Sequence, residues 1–221
     1  MTPAAGRDAL PAAARGKRAL DVVVASLLLV GTAPLLALLA LIVRLDSPGP
    51  ALLRQQRIGR AGHPFAMWKL RTMVSDGDAS LHAMHVARLM RRGQGSGAAW
   101  VAPTSDPRVT RVGRWLRATC LDELPQLLNV LRGEMSLVGP RPALPYEIAA
   151  WEPWHHERLR VPPGMTGLWQ VAGRGRATFD EMVRLDLDYA ARCSPAADIA
   201  ILLRTPAAIW RSARSRSKGT A

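Results

Sequence analysis

Cysteine is scarce in this chain of 221 residues, which contains only Cys120 and Cys193. Two cysteines so far apart build neither a disulfide framework nor a zinc-binding spacing, and their scarcity fits a reducing compartment. The four histidines beyond position 80 also lack partners at metal-ligand spacing. The composition therefore excludes a disulfide-stapled secreted domain and a domain organised by zinc.

Acidic side chains are also few. The chain contains 17 Asp and Glu residues and 30 Lys and Arg residues, which gives a formal net charge of +13. Such an excess implies a polyanionic partner: nucleic acid, an anionic membrane surface or a phosphorylated substrate. Lysine occurs only at positions 17, 69 and 218, so arginine carries nearly all of the charge. A guanidinium fork suits phosphate recognition, although a GC-rich genome would produce the same arginine bias.

Charged side chains are absent from the 22 residues between Val22 and Val43. That length matches a bilayer-spanning helix of about 20 residues, and the segment is apolar on every side, unlike a core helix of a soluble domain. No cleavage site follows it, which excludes a cleavable signal peptide. Gly31 and Pro34 interrupt the segment, and proline removes a backbone donor.

Basic residues lie on both sides of this segment, and the positive-inside rule places both flanks in the cytoplasm. A helix that enters the membrane, breaks near Pro34 and leaves on the same side satisfies both. The sequence therefore predicts a re-entrant membrane helix over 17–44, after a basic, disordered N-terminus over 1–16. The flanking basic residues are Arg7, Arg15, Lys17 and Arg18 before the segment, and Arg44, Arg54, Arg57 and Arg60 after it.

Residues 45–210 are predicted to form a single domain, large enough for a catalytic domain, and they contain no internal repeat. The stretches 51–59 and 64–71 flank the turn residues "RAGH" and favour a β-hairpin. We therefore expect a mostly helical α+β fold with one small β-hairpin and interfacial amphipathic helices. Helices are predicted at 79–92, from Pro125 to Arg132, at 179–192 and, interrupted by Pro206, at 196–210.

The C-terminal segment 211–221 is a basic tail after an apolar helix. Either an anionic leaflet attracts this tail or it is a solvated end. Anionic lipids of the inner membrane are accordingly one expected partner.

Two adjacent carboxylates, Asp122 and Glu123, lie in the stretch "CLDELPQLLNV". One reading is structural, since the pair precedes a helix and Thr119 with Asp122 forms a weak version of a capping box. Thr178 and Glu181 form that motif clearly, and they need no chemistry to explain them. The other reading is that Asp122 and Glu123 act on a negatively charged substrate.

Two arginine-containing stretches favour the chemical reading. Arg141 stands between two prolines in "VGPRP", which pre-organises its guanidinium in a way that a solvated surface does not require. Arg174 follows small residues in "GMTGLWQVAGRG" and is a candidate contact to a phosphate or a base.

Six blocks follow one another between residues 17 and 210. In this order they resemble the bacterial sugar transferases, the monotopic phosphoglycosyl transferases, and the fifth block is the most specific. The chain shows no multi-span N-terminal domain, so we expect the small, core-only form. The blocks are "KRALD", the apolar segment, "QQRIGRAGHPFAMWKLRTM", "DPRVTRVGRWLR", "LDELPQLLNVLRGEMSLVGPRP" and "PPGMTGLWQVAGRG".

The resemblance implies transfer of a sugar 1-phosphate from a UDP-sugar to polyprenyl (undecaprenyl) phosphate, with release of UMP. Such a step begins the membrane stage of exopolysaccharide, O-antigen, capsule or glycoprotein glycan assembly. The implied location is the bacterial inner membrane, with the catalytic domain facing the cytoplasm.

The family also implies roles for individual residues. Asp122 is the expected nucleophile, and it shares an Mg²⁺ ion with Glu123. The resemblance implies that Arg141 holds a phosphate. Arg71 and Lys69 are further candidates for phosphate binding, and Arg174 is a candidate for nucleotide binding.

Two positions depart from the family pattern. Ala33 precedes Pro34 where a serine is common, so the break in the helix rests on Pro34 and Gly31. Gly175 stands where asparagine is expected, which affects nucleotide or sugar contacts.

An alternative reading is a non-catalytic protein that binds the membrane surface through its basic faces. It explains the charge and the apolar segment but not Asp122, Glu123 and Arg141 together. Nucleic acid is not an expected partner, since the apolar segment has no role there. The sugar, the pathway and the oligomeric state, a homodimer included, stay open.

Overall fold

The computed structural model describes residues 12–74, 106–173 and 177–218. The predicted helix at 79–92 and the candidate Arg174 lie outside these residues. Short 3₁₀ helices cover Arg60–Gly62, Leu121–Gln126 and Pro153–Arg160. The helices and strands are, in chain order, α1 (Ala12–Asp46), β1 (Leu52–Ile58), β2 (Pro64–Leu70), α2 (Arg111–Thr119), α3 (Leu127–Arg132), β3 (Ser136–Val138), α4 (Pro145–Ile148), β4 (Gly164–Thr166), α5 (Leu168–Ala172), α6 (Phe179–Arg192) and α7 (Pro195–Lys218).

The predicted fold class, a mostly helical α+β protein, is confirmed. The predicted hairpin is present as β1 and β2, which pair antiparallel from Leu52 opposite Leu70 to Ile58 opposite Pro64. The shorter strands β3 and β4 pair in parallel and form a second small sheet. The helix predicted at 179–192 is α6, which begins at the predicted capping box.

Helix α1 is continuous for 35 residues and contains Pro34, whereas the sequence predicted a break there. Proline removes one backbone donor, but one missing bond does not end a helix whose other bonds remain. Thr32 adds a side-chain bond in this turn, since its Oγ1 donates to the Leu28 carbonyl at 2.7 Å. Pro206 likewise lies inside α7 without ending it.

The N-terminal end of α1 is anchored to the rest of the domain by a buried polar cluster. The Lys17 ammonium donates to the Val138 carbonyl at 2.9 Å, to the Tyr189 hydroxyl at 3.0 Å and to the Asp198 carboxylate at 2.7 Å. One turn later, the Asp21 carboxylate accepts hydrogen bonds from a side chain and a backbone N–H of β3. The "KRALD" block therefore connects α1 directly to the strand that leads to Arg141.

The C-terminal end of α1 packs on the same domain. Leu39 and Val43 are buried in a cluster that includes the end of β2 and the helix α2. The guanidinium of Arg71 joins the two parts, because it donates to the carbonyls of Val43, Ser47 and Pro50. Both ends of the apolar segment are thus attached to one folded unit.

The middle of α1 is exposed, in contrast to its ends. Val23 is 58 %, Leu27 69 % and Val30 77 % accessible. Among the described residues, α1 is the helix whose length and apolar composition would suffice to cross a membrane. Such a large exposed apolar surface is unfavourable in water, and a lipid phase would cover it.

The free edge of β2 is covered by a side chain instead of a third strand. The Asn129 amide, completely buried on α3, accepts from the Trp68 backbone N–H at 3.0 Å and donates to the Ala66 carbonyl at 2.8 Å. The same amide nitrogen donates to Glu134 at 2.7 Å. Asn129 therefore fixes the hairpin against the helix that follows the acidic pair.

Replacing Asn129 by alanine should lower the free energy of unfolding by about 1–3 kcal/mol, because two backbone groups lose their partners. Chemical unfolding of the purified protein in detergent measures this change. Gln56→Ala, at an exposed position of the same hairpin, is the control and should change stability by less than about 0.5 kcal/mol. Equal stability of the two variants would contradict this role for Asn129.

Candidate active site

The acidic pair lies in the 3₁₀ helix Leu121–Gln126, immediately after α2. Asp122 is 9 % accessible, and Glu123 is partly buried. Cys120 adopts a left-handed conformation (φ 57°) between the two helices, which is uncommon for a residue other than glycine. This turn redirects the chain so that the 3₁₀ helix packs against β2.

The structural reading of the pair relied on Thr119 as a cap. Thr119 is the last residue of α2, and its hydroxyl donates backward to the carbonyls of Trp115 at 3.0 Å and Leu116 at 3.1 Å. It therefore does not cap the turn that carries Asp122. The cap of α2 itself is Thr110, whose hydroxyl accepts from the Gly113 N–H at 2.9 Å.

Helix α2 is held unusually close to the residues that follow β2. A Cβ atom on Gly113 would lie 2.1 Å from the Thr72 carbonyl oxygen, so only glycine fits there. The Thr110 N–H donates to the same carbonyl at 3.1 Å, and Arg117 Nε donates to the Thr72 hydroxyl at 2.8 Å. This close packing fixes where α2 ends and therefore where Asp122, which follows it, lies.

Lys69 of β2 lies within electrostatic reach of the acidic pair. Burial, together with the charges of Arg57 and Arg117, lowers the pKa of Lys69 to about 8, while Asp122 and Glu123 act in the opposite direction. All four side chains are thus within electrostatic reach of Lys69. The ammonium donates to Gln55 Oε1 at 3.1 Å.

The loop that carries Arg141 is locked by backbone contacts between glycines. The Gly139 N–H donates to the Thr166 carbonyl at 2.9 Å, and the Gly164 N–H donates to the Pro140 carbonyl at 2.8 Å. A Cβ atom on Gly164 would lie 2.0 Å from the Gly139 nitrogen. The blocks "VGPRP" and "PPGMTG" therefore form one rigid unit.

The Arg141 guanidinium is oriented by Glu147, whose carboxylate is buried and lies 3.3 Å from Nη1. Glu147 is fixed in turn by the Leu144 N–H at 2.9 Å. Behind the loop, the buried Arg158 donates to the Arg141 carbonyl at 3.2 Å and pairs with Asp186. Burial raises the pKa of Asp186 to about 6, although the charge of Arg158 opposes that shift.

Arg57 of β1 connects the two halves of the site. Its side chain is buried, Nη1 donates to the Pro142 carbonyl at 3.2 Å, and Nη2 donates to Gln55 Oε1 at 3.0 Å. Burial and the charge of Arg141 lower the pKa of Arg57 to about 10, whereas Glu147, Tyr146 and Glu123 raise it. Arg57 is therefore within electrostatic reach of both Arg141 and Glu123.

The candidate site thus combines the carboxylates of Asp122 and Glu123 with four cations: Arg57, Lys69, Arg117 and Arg141. Comparison with known proteins identifies the family to which the chain belongs. Residues 12–212 match the family model described as bacterial sugar transferase. The chain belongs to the bacterial sugar transferase family. The prediction that it is a phosphoglycosyl transferase is confirmed by named relatives.

The relatives cover most of this chain. It is 48 % identical over 197 residues to a UDP-glucose:undecaprenyl-phosphate glucose-1-phosphate transferase of Caulobacter vibrioides, covering 86 % of this chain and 67 % of that protein. It is 38 % identical over 205 residues to the exopolysaccharide production protein ExoY of Rhizobium meliloti, covering 91 % and 88 %. An undecaprenyl-phosphate galactose phosphotransferase of Salmonella typhimurium is 40 % identical over 198 residues, but this chain spans only 40 % of it.

The predicted site residues of this sugar transferase fall into two groups. Lys69 lies within electrostatic reach of Asp122 and Glu123, and Arg141 is linked to this group through Arg57. Arg71, by contrast, is 1 % accessible and donates to three carbonyls at and just beyond the end of α1. Because binding a phosphate would require Arg71 to give up these bonds, we assign it a structural role.

Three residues of the candidate site were not predicted from the sequence: Gln55, Arg57 and Arg117. A signal for the first two exists, since alternate residues of a strand share a face. Gln55 and Arg57 have that spacing in β1, and the hairpin register places Lys69 on the same face of β2. Arg117 gave no comparable signal, because its approach depends on how α2 docks.

The acidic pair has the donor chemistry of a magnesium site. Among the described residues, no group of three or more His, Cys, Asp or Glu side chains could hold a metal. Mg²⁺ usually takes one or two protein carboxylates and completes its shell with substrate phosphates and water. Asp122 and Glu123 fit that pattern.

Proposed function

We propose that this sugar transferase moves a sugar 1-phosphate from a UDP-sugar to polyprenyl phosphate, releasing UMP, through a covalent intermediate on Asp122. The observation that carries the proposal is the buried Asp122 carboxylate among cations. The names of the relatives support it, since they include transferases that act on undecaprenyl phosphate. The cations explain how a carboxylate can approach a diphosphate.

In the first step, a carboxylate oxygen of Asp122 attacks the phosphorus that bears the sugar. The bond from that phosphorus to the bridging oxygen breaks, and UMP leaves with the electron pair. An acyl phosphate that carries the sugar remains on Asp122. Lys69, Arg57, Arg117 and Arg141 supply fixed positive charge, which offsets the repulsion between the carboxylate and the diphosphate.

In the second step, a phosphate oxygen of the polyprenyl phosphate attacks the same phosphorus. The bond to Asp122 breaks, which restores the carboxylate and yields a polyprenyl diphosphate sugar. The soluble donor and the lipid acceptor occupy the site in turn, so ping-pong kinetics are expected. A site at the membrane surface suits this order, because the donor arrives from water and the acceptor from the lipid.

Glu123, with Asp122, is the proposed holder of Mg²⁺, which when bound neutralises charge on the diphosphate. EDTA should therefore reduce turnover to background, and added Mg²⁺ should restore it. UMP release from a UDP-sugar in the presence of polyprenyl phosphate is the measurement. Undiminished activity in excess chelator would contradict the metal role of Glu123.

We further propose that α1 lies in the cytoplasmic leaflet of the bacterial inner membrane, with both of its ends on the cytoplasmic side. Both of its ends are attached to one domain, which a helix crossing to the periplasm would not allow. The basic C-terminal residues favour contact with anionic lipids. On this account the enzyme performs the first membrane step in the assembly of a polysaccharide or related glycan.

Single cysteines that replace Leu10 and Pro50 test this topology in a background without Cys120 and Cys193. In intact spheroplasts, both should be protected from a membrane-impermeant thiol reagent and should react after lysis. Labelling of one position alone before lysis would show that α1 crosses the membrane.

The proposed activity is tested by UMP release from a panel of UDP-sugars, with and without polyprenyl phosphate. We expect one donor to support continuous release only with the lipid acceptor, together with formation of a lipid-linked sugar. A protein that only binds the membrane surface would release no UMP from any donor. The panel should include UDP-glucose and UDP-galactose, because relatives are named for each sugar.

A further inference from the structure

One neutral side chain lies between two of the cations in the proposed phosphate site. Gln55 Oε1 accepts a hydrogen bond from Lys69 Nζ at 3.1 Å and another from Arg57 Nη2 at 3.0 Å. Gln55 itself is partly buried on β1. One amide oxygen therefore sets the separation of two positively charged groups.

The arrangement is unfavourable without an acceptor between the cations. Each cation disfavours the other, and the charge of Arg57 is one of the causes that lower the pKa of Lys69. An amide oxygen binds both donors through its partial charge and leaves both formal charges in place. A carboxylate at the same position would cancel one positive charge and would repel a substrate phosphate.

The same contacts extend to the loop of Arg141. While Nη2 of Arg57 bonds Gln55, Nη1 of the same guanidinium donates to the Pro142 carbonyl at 3.2 Å. Gln55 and Arg57 thus join Lys69, on β2, to the loop that positions Arg141. A displacement at Gln55 would be transmitted to both phosphate-binding candidates.

We propose that Gln55 is a positioning residue for the donor diphosphate: its uncharged oxygen fixes Lys69 and Arg57 while preserving their charge. The inference rests on the proposed function in that Lys69 and Arg141 hold substrate phosphates. It adds a requirement that the family resemblance did not supply, namely a neutral acceptor at position 55.

The test compares Gln55→Glu with Gln56→Glu. Both variants add the same charge to adjacent positions of β1, but Gln56 is exposed and lies on the opposite face of the strand. Glutamate at 55 still accepts from both cations, so the melting temperature should be retained or raised. The KM for the UDP-sugar should nevertheless rise at least tenfold in Gln55→Glu and less than twofold in Gln56→Glu.

A binding measurement separates this inference from the transferase proposal. Isothermal titration calorimetry with inorganic pyrophosphate should show at least tenfold weaker binding to Gln55→Glu and unchanged binding to Gln56→Glu. Gln55→Met is similar in size but lacks the acceptor oxygen, so it should also weaken pyrophosphate binding. This variant replaces Gln55→Glu in the test if Gln55→Glu does not fold. Unchanged pyrophosphate affinity in a folded Gln55 variant would overturn the inference, whereas absence of UMP release by the wild type would overturn only the transferase proposal.

Discussion

Asp122→Asn should reduce the rate of sugar phosphate transfer by at least about a thousandfold, because removal of a covalent nucleophile lowers enzymatic rates on that scale. Asparagine keeps the size and shape of the side chain but cannot form the acyl phosphate. Because Asp122 is largely buried, the substitution leaves the surface of the protein almost unaltered. The initial rate of lipid-linked sugar formation, at saturating donor and acceptor, measures the effect.

The matched control is Asp188→Asn, which removes a carboxylate from an exposed ion pair with Arg192 on α6. It should retain activity within about twofold, since exposed pairs contribute little to stability. Turnover by Asp122→Asn at close to the wild-type rate would mean that the lipid phosphate attacks the donor directly. Glu123→Gln should lower turnover while leaving Asp122 as the only site of attachment.

Arg141→Ala should lower kcat/KM by about 10²–10³, the range found when one preorganised donor to a developing charge is removed. The guanidinium is directed by Glu147 and carried by a loop whose glycines permit no adjustment. Arg141→Lys should recover little of the loss, because an ammonium cannot reproduce two parallel hydrogen bonds. Steady-state kinetics with varied UDP-sugar measure both variants.

Arg160→Ala is the control for Arg141, since the Arg160 side chain is 75 % accessible and forms an exposed ion pair with Glu157. Its kcat/KM should stay within about twofold of the wild-type value. Full activity of Arg141→Lys would show that charge alone is sufficient at this position. Full activity of Arg141→Ala would show that Arg141 does not contribute to catalysis or substrate binding.

Local patterns allowed much of the fold to be predicted from the sequence. The hairpin follows from alternating residues around a turn, and α6 follows from its capping box, both determined within a few residues of chain. The acidic pair and Arg141 could also be selected as candidates, because their blocks resemble the family. These features share one property: the information that specifies them is contiguous in the sequence.

Features that depend on packing between distant segments could not be predicted. Arg71 follows a strand within a basic block and looks like a phosphate ligand, but its three acceptors lie at and just beyond the end of α1. Arg117 approaches the site only because Gly113 lets α2 touch the backbone of Thr72. The break predicted at Pro34 is absent because the surrounding helical bonds outweigh one missing donor.

The central claim is a covalent phosphosugar on Asp122, and intact-protein mass spectrometry tests it most directly. Wild-type enzyme should be incubated with its UDP-sugar and Mg²⁺ in the absence of polyprenyl phosphate. The account predicts release of at most one UMP per enzyme, a mass increase of one sugar phosphate, and attachment to the peptide that contains Asp122. An unmodified protein and no UMP release, from an enzyme that turns over once the lipid acceptor is added, would contradict it.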